Sequence, residues 1–203
     1  VSTGWRETST RVALSTDRVD VWWLPEAHEP HGAARRLLAG CLGEPASAIR
    51  FRATPAGKPA LADARHAHLR FSFAHSGAHT LLAVRLRYDV GVDLERIRAG
   101  VDADAVVATT FPPSWRVAWR TGRPGDRRAA FFGAWVRFEA LAKASGRGIA
   151  CDDPLAESSG FTCRALPTLP GFAAAVASEG RDWALACHRD VACATREVAA
   201  NTL

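Results

Sequence analysis

Two residues draw attention because the chain is so poor in their kind. Lys58 and Lys143 are the only lysines among 203 residues, although Lys and Arg together number 26. Lys143 follows Glu139 by four residues in FFGAWVRFEALAK, residues 131–143. On a helix that spacing places the carboxylate and the ammonium on one flank. Upstream, Gly91-Val92-Asp93-Leu94-Glu95 carries two carboxylates two residues apart. In a strand, Asp93 and Glu95 project from one face while Val92 and Leu94 bury on the other. Adjacent carboxylates repel each other unless a cation or a proton lies between them. Mg²⁺ suits such a pair, because it takes one or two carboxylates together with phosphate oxygens and water. The same two patterns also fit a surface ion pair and a solvated strand face neutralised by Arg96 and Arg98.

A third group is Phe71-Ser72-Phe73-Ala74-His75-Ser76-Gly77, preceded by Gly57-Lys58-Pro59. A half-buried strand that ends in a His-Ser-Gly turn exposes an imidazole and several backbone N–H groups, which can hold a phosphate. A turn or core histidine fits the pattern as well. His66-x-His68 and His75-x3-His79 lack the cysteine or carboxylate that would complete a zinc spacing. No G-x-S-x-G or Walker sequence occurs, which removes the main support for serine-hydrolase and P-loop chemistry.

These groups need elements to position them. Val19–Leu24 reads as a strand and Pro30–Leu42 as a helix, with Ala34, Leu37, Leu38 and Leu42 at helical spacing. Ile49–Leu61 contains a strand broken at Pro55, Gly57 and Pro59. Leu69–Ala74, Thr80–Leu86 and Val90–Ile97 read as strands. Ala129–Ser145 reads as a helix closed by Gly146, its stripe formed by Phe131, Trp135, Phe138 and Ala142. Phe161–Leu166, Phe172–Ala177 and Trp183–Cys187 read as a closing antiparallel set. Pro112–Asp126 reads as a partly exposed loop or short helix. The order gives an α+β chain of two similar halves, 1–88 and 89–203, with a ligand site expected between them.

Composition narrows the class. The chain is 48% hydrophobic and 23% charged, which is ordinary globular usage. No apolar run approaches the roughly 20 residues of a membrane helix. Val1–Arg11 carries no signal-peptide core, and the missing initiator Met suggests a trimmed or excised segment. The five cysteines are odd in number and form no C-x-x-C, so they read as small buried hydrophobes in a reducing compartment. A soluble cytoplasmic protein is expected, without membrane partners. The net charge of +5 suits phosphates or an acidic partner. The arginines are scattered and no nucleic-acid motif appears, so nucleic acid is not an expected partner.

Taken in order, G-K-P, F-S-F-A-H-S-G, G-V-D-L-E and W-V-R-F-E-A-L-A-K-A-S-G resemble the 4'-phosphopantetheinyl transferases of the Sfp type, from about Val19 to Ala150. The resemblance implies two α+β halves in a pseudo-twofold arrangement with the active site between them. It implies transfer of the phosphopantetheine arm of coenzyme A to a serine of an apo acyl or peptidyl carrier protein, with release of 3',5'-ADP. Asp93, Glu95 and Glu139 would hold Mg²⁺, with Mn²⁺ able to replace it. Lys143 would contact the transferred phosphate, and Lys58, Ala74, His75 and Arg35 or Arg36 would border coenzyme A. Catalysis would rest on Glu139, Lys143 and Asp93, with Glu139 the base for the serine hydroxyl. Two departures, Phe138 in place of a lysine and Ala74 in place of a serine, leave a degenerate coenzyme A- or carrier-binding homologue as the alternative. An acidic carrier is expected to dock on Phe111, Trp115, Arg116 and Trp119, and the pattern implies a monomer.

Overall fold

In the computed structural model, residues 4–8, 12–24, 30–55, 57–121, 127–146, 160–167 and 170–190 are described. The strands are β1 (Arg6–Thr8), β2 (Arg18–Leu24), β3 (Phe51–Ala53), β4 (Pro59–Leu61), β5 (Leu69–Ser76), β6 (His79–Leu86), β7 (Val90–Arg96), β8 (Phe161–Ala165), β9 (Phe172–Glu179) and β10 (Ala184–Asp190). The helices are α1 (Pro30–Leu42), α2 (Ala103–Thr110), α3 (Pro113–Thr121) and α4 (Arg127–Ser145). This is an α+β fold.

Period-2 side-chain alternation divides the core into layers. In β2, Val19 and Val21 face one way and Trp22 and Leu24 the other, and all four are buried. Such a strand is covered on both faces. It lies inside a five-stranded sheet of order β1-β10-β2-β6-β5. The apolar stripe of α1, with Ala34, Leu37 and Leu38, covers the outer face. The inner face meets a second sheet, β7-β9-β8, through Val90, Val92, Leu94 and Val176. The far face of that second sheet is covered by α4, whose Val136, Ala140, Leu141 and Ala144 pack on Ala175 and Ala177. Beside α4, α2 and α3 close an aromatic cluster around Phe111, Phe131, Phe132 and Phe138. Asp102 caps α2, its side chain accepting the Ala105 N–H at 3.0 Å.

The closing strands depart from the antiparallel set. β8 and β9 pair antiparallel, whereas β10 crosses to the first sheet and runs parallel to both β2 and β1. Two buried contacts hold it there. His188 Nε2 lies 2.8 Å from Asp20 Oδ1, which also accepts Arg18 Nε at 3.0 Å, and the imidazole stacks on Trp22 at 4.8 Å. Cys187, on the opposite face, joins Val19 and Val21 in the core between the sheets. Apolar alternation shows that a strand is buried but not which neighbour it takes.

Side chains cross-link the layers where ladders do not. Buried Arg85 donates to Thr16 O at 2.9 Å, Ser178 Oγ at 2.8 Å and Glu179 O at 2.6 Å, tying β6 to β9. Ser72 Oγ and Ser76 Oγ of β5 accept the backbone N–H groups of Val92 and Arg96, at 3.2 and 3.0 Å. β7 is thereby fixed over β5. Burial pushes the free thiols of Cys41, Cys163 and Cys187 up to about 12. Cys151 and Cys193 lie outside the described residues. Among the described residues, no helix is long and apolar enough to cross a membrane.

Candidate active site

The second sheet and α4 bring the acidic strand and the lysine helix into contact. Gly91 makes this approach possible: a Cβ there would stand 2.1 Å from Ala140 O and 2.4 Å from Ala144 N. With no side chain in the way, α4 lies directly on β7. Asp93, two residues further and on the same face, then meets Glu139 and Lys143. Lys143 Nζ donates to Asp93 Oδ1 at 2.6 Å and lies 3.6 Å from Glu139 Oε2. The i,i+4 ion pair expected of the helix is present, but the nearer partner of the ammonium is Asp93.

The electrostatics follow from burial and from the number of charges. Asp93 is 3% exposed, and its Oδ2 is buried without a hydrogen-bond partner. Burial raises the Asp93 carboxyl above its ordinary range, against the pull of the Lys143 ammonium. Glu95 and Glu139 are also raised, first by burial and then by the charge of Asp93. The three carboxylates therefore feel one another, with one ammonium placed among them. Among the described residues, no group of three Asp, Glu, His or Cys side chains stands close enough together to hold a metal ion as placed. The donor set is nonetheless of the kind Mg²⁺ takes: hard oxygens, one of them an orphaned carboxylate oxygen, with the remaining positions left to water and phosphate.

A cleft of about 250 Å³ opens beside this cluster, lined by Lys58, Phe71, Phe73, Glu139 and Lys143. Lys58 Nζ donates to Val90 O at 2.9 Å, and burial lowers its proton affinity. Both lysines of the chain thus face one cavity, reached from residues before and after Tyr88. His75 is exposed on β5, and Arg36 is exposed on α1. Arg35 turns away to a separate pocket, its guanidinium 5.4 Å from the Phe51 ring centroid.

Three expected residues sit in the core. Ala74 is 5% exposed between the two sheets, beside Val92 and Leu94. Phe111 is 1% exposed, so it offers no side chain to a docking partner; the expectation fails because Phe111 packs on Trp115 and Phe138 at 5.4 and 5.2 Å. Phe138 is fully buried among Phe111, Trp115 and Trp135. A lysine there would point into this cluster and not at the cleft. Phe138→Lys buries an unpaired ammonium and removes a core aromatic, a loss of about 3–5 kcal/mol from the aromatic alone. The expected result is a melting midpoint lower by about 10 °C or more, followed by fluorescence. A variant that melts normally and gains activity would contradict this placement.

Sequence patterning did not single out Gly91, Ser72 or Ser76. Gly91 sits inside a strand pattern, which is the signal for a close backbone approach. The hydroxyls show no pattern of their own, because their partners lie 20 residues away.

A sequence model described as the 4'-phosphopantetheinyl transferase superfamily matches residues 89–195, slightly more than half of the chain. The chain belongs to that superfamily. Two relatives agree with the assignment. The 4'-phosphopantetheinyl transferase HetI of Nostoc sp. is 32% identical over 145 residues, covering 68% of this chain and 61% of HetI. A putative 4'-phosphopantetheinyl transferase of Synechocystis sp., slr0495, is 31% identical over 118 residues, covering 58% of this chain and 48% of that protein. The chain thus spans between about half and three fifths of the length of these relatives. The region matched to the superfamily contains Asp93, Glu95, Glu139 and Lys143.

Proposed function

We propose that this protein transfers the 4'-phosphopantetheine arm of coenzyme A to a serine of an apo acyl or peptidyl carrier protein, with Mg²⁺, releasing 3',5'-ADP. The observation that carries the reading is the convergence of Asp93, Glu139 and Lys143 at the rim of a cleft that also holds Lys58. Phosphoryl transfer needs positioning and neutralisation of charge more than covalent help from the protein. Lys58 and Lys143 supply two cations to the cavity for the coenzyme A phosphates. Glu139, 18% exposed at its side chain, borders both the cleft and the acid cluster and takes the proton of the carrier serine. The serine oxygen bonds to the phosphorus of the pantetheine phosphate, and the bridging P–O bond of the pyrophosphate breaks. Mg²⁺ held by Asp93, Glu95 and Glu139 would act there as a Lewis acid on the pyrophosphate oxygens. Arg35, Arg36 and His75 lie outside this cleft and belong to the reading only as contacts for the remainder of the nucleotide.

In this reading residues 1–88 contribute the Lys58 wall, and residues 89–203 contribute the acids and Lys143. The basic charge steers an acidic carrier toward the enzyme, with Trp115, Arg116 and Trp119 of α3 as its contact. The departures that point to a degenerate binder, Ala74 and Phe138, are core residues that do not line the cleft. Intact mass spectrometry of apo carrier proteins incubated with the protein, coenzyme A and Mg²⁺ tests the reading. A gain of one phosphopantetheine, abolished by EDTA, is expected; no gain on any fatty-acid, polyketide or peptide carrier would overturn it.

A further inference from the structure

The acid cluster has three carboxylates, with Lys143 set against Asp93 and Glu139 and the charge of Arg98 acting on Glu95. Lys143 Nζ is 2.6 Å from Asp93 Oδ1 and 3.6 Å from Glu139 Oε2. The Asp93 side chain is 4% exposed and that of Lys143 is 32% exposed. The ammonium reaches inward to a buried charge from a side chain that keeps access to the cleft. Lys58, by contrast, is committed to the Val90 carbonyl. Lys143 holds Asp93 Oδ1 while Oδ2 has no partner, so a divalent cation arriving at that carboxylate would meet the ammonium there, and two cations at contact with one carboxylate repel. Its long flexible stem lets it swing into the cavity, where an anion would give it a new partner.

We propose that Lys143 is a resident counter-ion of Asp93 and Glu139 that leaves them when a divalent cation binds. A phosphate in the Lys58 cleft then receives the displaced ammonium, so that this side chain adds to the cooperativity of cation and anion binding. The identity of the two ions rests on the transferase reading; the displacement rests on the contacts of Lys143. Coupling of this kind is reciprocal: coenzyme A tightens cation binding by the factor by which the cation tightens coenzyme A. Lys143→Met keeps the stem and removes the charge. It should bind the cation more tightly than wild type when no anion is present, and it should lose the part of the coupling that passes through the ammonium.

The composition supplies the probe. With two lysines in the chain, lysine labelled with ¹³C at the ε carbon gives two signals, assigned with Lys58→Arg. Mg²⁺ alone is expected to move the Lys143 signal. Coenzyme A is expected to lower the Mg²⁺ concentration required by on the order of tenfold. Mn²⁺ binding read by electron paramagnetic resonance is expected to be tighter in Lys143→Met and in Lys143→Gln, with a smaller further gain from coenzyme A than the wild type shows. A stationary Lys143 signal at saturating Mg²⁺, unchanged or weaker Mn²⁺ binding in both variants, or no Mn²⁺ binding at all would each overturn the proposal. The wild-type titration needs no variant to fold. Carrier modification that proceeds while these tests fail leaves the transferase reading standing and the counter-ion role refuted. The reverse pattern refutes the transferase reading alone.

Discussion

Glu139→Gln is expected to lower phosphopantetheine transfer by about 10²–10⁴-fold, the usual contribution of a positioned proton acceptor, without lowering the melting midpoint. The side chain borders the cleft and is not part of the aromatic cluster, so the amide fits where the carboxylate was. The stability sign follows from the charges. Burial pushes Asp93, Glu95 and Glu139 each toward higher proton affinity, and the charge of Asp93 adds to it at Glu95 and Glu139. Their ionised forms are therefore disfavoured in the fold relative to the unfolded chain, and this cost grows as pH rises from the unfolded toward the folded pKa. Removing one of the three charges at neutral pH relieves repulsion, so the variant should melt at the wild-type temperature or above it. Loss of function with no loss of stability is the signature of a site maintained against its own electrostatics. Steady-state transfer kinetics and a thermal melt on one preparation check both halves. Near-normal turnover in a folded Glu139→Gln protein would remove Glu139 from the role of base.

The local elements were legible because each has its own period. Spacing predicts the Pro30–Leu42 helix at the bounds it has, and the Val90–Ile97 strand within a residue of them. The burial of Phe138 could likewise be read from helical spacing. What periodicity does not carry is the partner of an element. β10 was read as part of the closing set, yet it lies between β1 and β2, because a buried Asp20–His188 contact links residues 168 positions apart. Periodicity does not mark α2: eight residues with Val107 as the buried one present too short a stripe, although Asp102 caps its start. The site was legible in part for the same reason. The D-x-E and E-x3-K spacings identify two faces, and each spacing alone describes a harmless surface pair. Their meeting depends on how β7 and α4 pack, which neither motif encodes. Even the partner of Lys143 differs from the one its helix suggests, since Asp93 at 2.6 Å is nearer than Glu139 at 3.6 Å.

That packing depends on one missing side chain, and Gly91→Ala tests it. The added methyl would fall 2.1 Å from Ala140 O, 2.4 Å from Ala144 N and 3.0 Å from Ala144 Cα. All three are backbone atoms of α4, so no rotamer change relieves the clash; the helix must shift bodily or the strand must bend. Overpacking usually costs about 1–3 kcal/mol, and a clash with a rigid helix backbone belongs at the upper end or beyond. For a chain of this size that corresponds to a midpoint lower by about 6–12 °C. Activity should fall further than stability accounts for, because Glu139 and Lys143 ride on the displaced helix and a misplacement of about 1 Å can cost about 10²-fold. Gly133→Ala is the matched control on the same helix. Its Cβ would meet nothing within 4 Å, and replacing a mid-helix glycine with alanine gains about 0.5–1 kcal/mol. Gly133→Ala should therefore melt slightly higher and turn over normally, while Gly91→Ala melts lower and loses transfer. Equal effects from the two substitutions would mean that α4 does not rest on Gly91, and that the meeting of Asp93 with Lys143 is secured by some other contact.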